Sequence, residues 1–503
     1  MSKKLSIKFY YGFVCTTGSA VMLLEFAAAR MLAPWFGTSL LVWGSIIGVV
    51  LLALSFGYWY GGRLADRYPQ ADRLMYLTLA AGVTASIIPI ILHIFLDNLS
   101  LSITLLSGTY VGTLLGSFGA MLLALAVPIG LLGMVSPYVI RLVTTDITQS
   151  GQVAGALYAW STVGSIVGTF ASAFVLVPWL GSRETITLAA ASLIVVGVIG
   201  LPNKAKFSLW LALPLAIYGY NSIRPLHADA ATLYSTESTY QFIRVEDQGD
   251  RLALIFNEGL GTQSYYMKTG VLTGSYFDYA GLTPELTQLP SQPNLAVLGL
   301  AGGTVTRQLR EYYPQATITG VEIDPAVITA AQKYFHLDEQ AINLVNQDAR
   351  QFLHSSHQRY DVLVIDAYAN EHYIPWHLTT KEFFHLAANR LSPRGILAMN
   401  IGSIGEDTDI FQALVATVAS EFKIVAVIPV PSTYNYVVVA SNSQLQPNNL
   451  QHITGARFGL AKQALAGFHF ITTTDTDKIF TDNRAPLELY TEQMIWSYIT
   501  SLW

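Results

Sequence analysis

Cysteine is nearly absent: Cys15 is the only one, so neither an intramolecular disulfide nor a cysteine-rich metal site can form. Charge is scarce as well. Only 12% of the residues are Asp, Glu, Lys or Arg, against about 25% in ordinary soluble domains, which excludes a chain that is soluble throughout. Basic residues are not in excess: the formal net charge is −5, leaving no footprint for nucleic acid. His336, His354 and His357 lack the spacing of a metal-binding set and read as surface or structural, so no metal is assigned.

What is abundant is apolar sequence, 52% of the chain with a mean hydropathy of +0.41. It is unevenly spread. Nearly continuous hydrophobic stretches run to Ile223, and ordinary charge density begins after Thr236. This divides the chain into a helical membrane bundle over 1–224, a β-rich part with a linker over 225–290, and a nucleoside-binding domain over 291–503. A crossing needs roughly 20 apolar residues. By that measure about seven spans are expected, near 9–29, 40–61, 74–96, 109–140, 152–178, 184–201 and 207–223. The fourth is long and holds Pro128 and Pro137, which predicts a kink or a further re-entrant piece within 99–118. The first is too long for a removable signal peptide and lacks the small-residue cleavage pattern. The expected location is therefore the cell (inner) membrane, multi-pass, with the lipid bilayer as partner.

Lys3, Lys4 and Lys8, then Arg63, Arg67 and Arg73, then Arg141, then Lys204 and Lys206 fall on one side of such a bundle, the cytoplasmic side by the positive-inside rule. Seven spans then put the second half outside. A count of six would reverse that, so the side stays open. "GGRLADR" at 61–67 resembles the basic loop of major-facilitator transporters. Glu25 and Arg30 lie within or at the end of the first span, where they serve either as interfacial or interhelical charges or as part of a substrate path.

In the second half, "TYQFIRVEDQGDRLALIFNEG" alternates around a polar turn, the pattern of a β-hairpin. Beyond a proline-containing linker, strands are expected at 295–300, 317–322, 342–346, 361–366, 396–401, 424–428 and 436–440, with helices at 304–313, 325–334, 380–390 and 408–420. Apolar strands joined by helices predict a Rossmann-like α/β domain of the S-adenosylmethionine methyltransferase type, with a parallel sheet and a ligand beyond the strands' carboxyl ends.

Four strand ends carry chemistry. The first leads into "GLAGGT", where Gly299, Gly302 and Gly303 permit a tight turn and close backbone approach. The second delivers Glu322 and Asp324 in "VEID", about 20 residues on, the distance at which a carboxylate meets ribose hydroxyls. The third delivers Asp348 in "NQDA", placed either to accept from an adenine amine or to cap the next helix. The fourth, "YDVLVIDAY", delivers Asp366. The glycine loop is not G-x-G-x-x-G, which argues against a nicotinamide cofactor.

The ordered set "ESTYQFI", "GLAGGTVTRQL", "VEIDPAVI", "NQDARQFL" and "YDVLVIDAY…TKEFF…LSPRGIL" resembles the spermidine synthases, the polyamine aminopropyltransferases, and most closely their membrane-fused relatives. The resemblance covers about 237 to 440. It implies a co-substrate, S-adenosylmethionine or its decarboxylated form, held by Gly299, Gly302, Gly303, Glu322, Asp348, Ala349 and Gln241. It also implies that Asp366 deprotonates an attacking amine, and it admits a homodimer. Gln263, Asp278, Tyr279 and Tyr368 are the candidate acceptor pocket.

Two features depart from that family. Its acids run Asp-Ser-Ser-Asp or a close variant, whereas here Asp366-Ala367-Tyr368-Ala369 lacks the second; and its Tyr-His-Glu stretch is replaced by "YFDYAGL", read with Asp278 and Tyr279 in place of Tyr and His. Three readings follow. One is a transferase that releases methylthioadenosine to an amine or by intramolecular attack. The second is a methyltransferase. The third is a transporter or sensor whose soluble domain binds a nucleoside or polyamine without turnover. "TDNRAPLELY", with Asp482, Pro486 and Glu488, is expected to cap a terminal helix rather than to shape the site.

Overall fold

A computed structural model describes residues 5–36, 40–95, 110–144, 146–201, 207–223, 231–257, 261–368, 373–472 and 474–501. Lys3, Lys4, Lys204, Lys206 and the 99–109 part of the expected re-entrant piece lie outside them. The chain divides into two units, Met1–Ala228 and Asp229–Trp503.

In the first unit six helical segments among the described residues are long and apolar enough to cross a membrane. They are built on α1 (Ile7–Phe36), α2 (Leu40–Arg67), α3 (Ala71–Ser86, continuing as an apolar segment to Phe95), α4 with α5 (Tyr110–Gly133 and Val135–Val143), α6 (Ser150–Ala171, prolonged to Leu180) and α7 (Ser182–Ile199). The expected seventh segment is α8 (Ala212–Ile223), preceded by a single 3-10 turn. At a rise of about 1.5 Å per residue it falls short of a bilayer core of about 30 Å. The fourth segment breaks at Met134, just ahead of Pro137, whose missing N–H cannot bond one turn back.

Glycines set how closely these helices pack. A Cβ on Gly164 of α6 would lie 1.9 Å from the Cys15 carbonyl oxygen of α1, and one on Gly57 of α2 would lie 2.3 Å from the Gly130 carbonyl oxygen of α4. Helices in lipid associate through such small-residue contacts because apolar burial alone gives them little drive. Glu25 is buried within this unit, 9% exposed.

The second unit begins with a four-stranded antiparallel sheet, β1 (Thr232–Glu237), β2 (Phe242–Asp247), β3 (Arg251–Phe256) and β4 (Thr262–Met267). The β2–β3 turn is the expected hairpin, with Gly249 at φ +91° and its N–H bonded to Asp247. Eight further strands follow: β5 (Asn294–Leu298), β6 (Thr317–Glu322), β7 (Asn343–Asn346), β8 (Tyr360–Ile365), β9 (Leu391–Gly402), β10 (Ile424–Pro429), β11 (Asn435–Ser441) and β12 (His469–Phe470). Their order is β12-β10-β11-β9-β8-β5-β6-β7.

The five strands from β9 to β7 are parallel, as expected. β11 and β10 are antiparallel additions, which makes the sheet mixed. The stretch between β10 and β11 is too short for a crossover helix, so the chain can only turn back. Helices α9 (Tyr276–Ala280), α10 (Thr304–Tyr312), α11 (Pro325–Tyr334), α12 (Ala349–Ser355), α13 (Lys381–Asn389), α14 (Asp409–Ala419) and α15 (Leu487–Ser501) complete the elements used below. Apolar clusters cover both faces of the sheet, one around Leu363, Leu397 and Phe411, the other around Val297, Val364 and Phe277. The strand order reverses between β5 and β8, and this brings the glycine loop beside Asp366.

Candidate active site

The glycine loop leaves β5 with Gly299 at φ +86°, Ala301 at φ +47° and Gly303 at φ +81°. A side chain on Gly299 would strike the Asp366 carbonyl oxygen at 2.3 Å, and one on Gly302 would meet the Ser264 Cβ at 2.7 Å. The first and fourth strand ends therefore lie directly against each other, and the small sheet closes over the loop through a bond from Gly302 N–H to Ser264 Oγ of 2.8 Å.

Asp366 follows β8, partly buried. Tyr276 of α9 donates its hydroxyl to Oδ2 at 3.0 Å, and Asn400 near the end of β9 donates Nδ2 to Oδ1 at 3.2 Å. Desolvation pushes the carboxyl up to about 6, against the opposing pull of those two donors. Tyr276 titrates well above the ordinary phenol range, through burial and then the charge of Asp366 beside it. Tyr368 donates to the Asn400 carbonyl at 3.1 Å and accepts from Gly402 N–H at 2.9 Å. It fixes the strand end that carries Asn400.

Glu322 ends β6, 7% exposed, and its two oxygens accept from Ala301 N–H at 2.9 Å and Asp324 N–H at 3.0 Å. Burial raises this carboxyl to about 7, although the backbone donors hold it down in part. Asp324 sits differently from the expected ligand contact. It is fully buried, caps α11 through Ala326 N–H and accepts from Ser238 Oγ at 2.5 Å. The sequence carried that signal, since an Asp immediately before a proline opening a helix is an N-cap pattern.

Asp348 caps α12 through Gln351 N–H at 2.9 Å while its other oxygen meets His377 Nε2 at 3.0 Å, so the capping alternative is present. Ala349 is buried as the first residue of that helix. Gln241 is buried in the β1–β2 turn, where its backbone N–H and carbonyl both bond Ser238 Oγ. Gln263 stands at the start of β4, partly buried.

Residues 284–452 match the family described as the spermine/spermidine synthase domain. The chain carries a spermine/spermidine synthase domain. A probable polyamine aminopropyl transferase of Bifidobacterium longum is 34% identical over 278 residues, 51% of this chain and 61% of its own length. A polyamine aminopropyltransferase of Vibrio vulnificus is 32% identical over 197 residues, 38% of this chain and 66% of its own length. The chain thus spans less than two thirds of each relative's length. Among solved structures, a probable spermidine synthase from Corynebacterium glutamicum aligns with 48% of this chain and 91% of its own, at 21% identity and a TM-score of 0.40.

Within the synthase domain and the segments leading into it, the acceptor side needs correcting. Asp278 is 4% exposed and receives Thr273 N–H, Thr273 Oγ1 at 2.9 Å, Gly274 N–H at 2.8 Å and Gln308 Nε2 at 2.6 Å. It anchors its own loop. Tyr279 turns away and donates to Gln463 at 3.0 Å. The tyrosine that reaches Asp366 is Tyr276, so Tyr276-Phe277-Asp278 takes the register of Tyr-His-Glu, with phenylalanine for the histidine and aspartate for the glutamate. Two tyrosines flanking one acid concealed that register, and the match of tyrosine first and acid third was the available signal. Asn400 carried no signal of its own, being one polar residue in an apolar strand.

Asp482 does not cap the terminal helix: it takes both Arg350 Nη1 at 2.8 Å and Nη2 at 2.6 Å. Among the described residues no three His, Cys, Asp or Glu are grouped as a metal site.

Proposed function

We propose that the chain is a membrane-bound enzyme of the polyamine aminopropyltransferase type, which uses S-adenosylmethionine or its decarboxylated form and releases 5'-methylthioadenosine. The observation that carries this reading is Asp366 held between Tyr276 and Asn400 beside the glycine loop, with its carboxyl raised to about 6. An ammonium has no lone pair, so the acceptor amine must lose a proton before it attacks the carbon next to the sulfonium. Asp366 accepts that proton; the new N–C bond forms as the C–S bond breaks, and its electron pair neutralises the sulfur. A carboxyl near 6 is mostly ionised at neutral pH and still basic enough to be useful.

Glu322, with each oxygen steadied by one backbone N–H, offers its remaining lone pairs to ribose hydroxyls. Asp348, oriented by His377 and by its own cap, accepts from the adenine amine. Asp324 is spent on its cap and on Ser238 and takes no part in ligand binding.

The six long apolar segments support the bilayer as partner. Six crossings would return the chain after Ile199 to the face that carries the Lys and Arg clusters, the cytoplasmic one, where a sulfonium nucleoside is made. A second reading, transport or sensing without turnover, draws on Glu25 buried in the helical unit.

The test is methylthioadenosine release by purified full-length protein given either sulfonium compound, with and without putrescine or spermidine, beside Asp366→Asn. Release that needs both an amine and Asp366 supports the transferase; release without amine points to intramolecular attack. Tight nucleoside binding with no release in any arm would favour transport or sensing.

A further inference from the structure

A cavity of about 800 Å³ opens beside the small sheet, and no residue assigned above to the nucleoside or the amine lines it. Its walls are the end of β4 with the stretch 269–272 that follows, one side of α10, and the segment 335–340 after α11.

The lining is rich in hydrogen-bond donors that lack acceptors. Arg307 gives Nη1 to the Met267 carbonyl at 3.0 Å and lies 4.1 Å over the Tyr266 ring, which holds the guanidinium flat against the wall. Its remaining N–H groups find no acceptor among the described residues. Arg310 spends its donors on the carbonyls of Gln340, Pro314, Ala316 and Ala341. Carbonyls carry no net charge, so neither arginine is neutralised by a carboxylate among the described residues. Two acids share the lining without altering this: Glu339 meets His336 Nδ1 at 3.0 Å, and Glu311 is exposed to water.

Backbone donors add to the arginines. The chain bends through 269–271 with Gly270 at φ +72°, and the N–H groups of 269–272 have no acceptor among the described residues. Consecutive free N–H groups on such a bend form a concavity suited to an anion. A Cβ on Gly270 would meet nothing within 4 Å, so the bend borders open space.

We infer that this cavity binds a small, water-soluble, phosphate-bearing anion, held by the Arg307 guanidinium and the backbone N–H groups of 269–272. A guanidinium presents paired N–H groups that match two oxygens of one phosphate. Arg310 contributes its charge without a direct bond. Helix α10 starts at Gly303 of the glycine loop, and Thr306 in its first turns donates to Gln340 Oε1 at 2.6 Å. The anion and the glycine loop therefore share one helix while occupying separate sites. This second site stands independently of any turnover of a sulfonium compound.

The probe is inorganic pyrophosphate, titrated calorimetrically into the full-length protein with and without methylthioadenosine, in the unmodified chain, Arg307→Gln and Thr269→Glu. Glutamine keeps a donor for the Met267 carbonyl. Thr269 is exposed and makes no hydrogen bond among the described residues, so glutamate there adds a repelling charge without removing a contact. The expected result is saturable binding to the unmodified chain, the same with and without methylthioadenosine, and about ten-fold weaker or worse in each variant, the loss of a charged hydrogen bond. No saturable binding, binding abolished by methylthioadenosine, or an affinity unchanged in Thr269→Glu would overturn the inference. Thermal midpoints of the three proteins check the fold, and Thr269→Glu decides alone if Arg307→Gln is unstable.

Discussion

The Tyr276 hydroxyl lies 3.0 Å from Asp366 Oδ2, joining a short helix that precedes the large sheet to the carboxylate at its centre. The bond favours the ionised carboxylate and so opposes the burial that raises it. Tyr276→Phe removes that donor. The carboxyl then titrates higher still, and the ascending limb of the pH–rate profile, expected near 6 in the unmodified protein, moves to higher pH. Asp366→Asn removes the proposed base altogether, and turnover should fall by about 10²- to 10⁴-fold with nucleoside affinity changed far less. An unmoved limb in Tyr276→Phe would show that another group sets it.

Glu322 makes a prediction of opposite character, because its proposed role is to bind rather than to react. Its folded value, raised to about 7 by burial, lies above its ordinary one. The folded state therefore holds a proton that the unfolded chain releases, and the stability it contributes falls as pH rises from the ordinary glutamate range through about 7. Glu322→Gln should flatten that part of the stability profile. Ribose hydroxyls favour the ionised form, so methylthioadenosine binding near pH 6.5 should expel about three-quarters of a proton, seen as buffer-dependent heat in calorimetry. Heat independent of buffer would place the ribose elsewhere.

Asp278 and Asp324 differ from their expected roles for a common reason. Strands β5 to β11 were legible because apolar runs and their spacing are local properties, and so was the placing of Gly299, Glu322, Asp348 and Asp366 at strand ends on one sheet edge. What was not legible depends on contacts between distant residues. Asp278 looked like an acceptor acid, yet four donor groups from its own loop and from Gln308 occupy it. Asp324 looked like a ligand acid, yet Ser238 and the start of α11 take both its oxygens. Composition shows that a carboxylate is present but not what already satisfies it.

The helical unit offers a paired test. A Cβ on Gly164 would lie 1.9 Å from the Cys15 carbonyl, whereas one on Gly155 of the same helix meets nothing within 4 Å. Gly164→Leu should force α1 and α6 apart, costing at least the roughly 1–3 kcal/mol typical of overpacking. Gly155→Leu should be tolerated. Thermal aggregation of detergent-solubilised protein distinguishes them, and equal behaviour would contradict the close α1–α6 crossing.

The last prediction concerns a clamp that the sequence concealed as a terminal cap. Asp482 receives two guanidinium bonds from Arg350 and one from Thr380 Oγ1 at 2.7 Å, while Arg350 also donates to the His377 carbonyl at 3.1 Å. His377 in turn meets Asp348, the proposed adenine contact, so the clamp reaches Asp348 through one intermediary. The side chains of Arg350 and Asp482 are 25% and 37% exposed, which limits the pair to about 1 kcal/mol of stability despite its geometry. Asp482→Asn should therefore lower the thermal midpoint by only a few degrees. Methylthioadenosine affinity should weaken several-fold, because His377 loses its anchor. The pH dependence fixes the cause: the Arg350 guanidinium holds the Asp482 carboxyl below the usual aspartate range, so its contribution is present above that range and lost as pH falls through the lowered value. The difference in midpoint between the two proteins should accordingly shrink toward zero in acid. A difference that persists there would assign the residue to packing, and an unchanged nucleoside affinity would detach the clamp from the site.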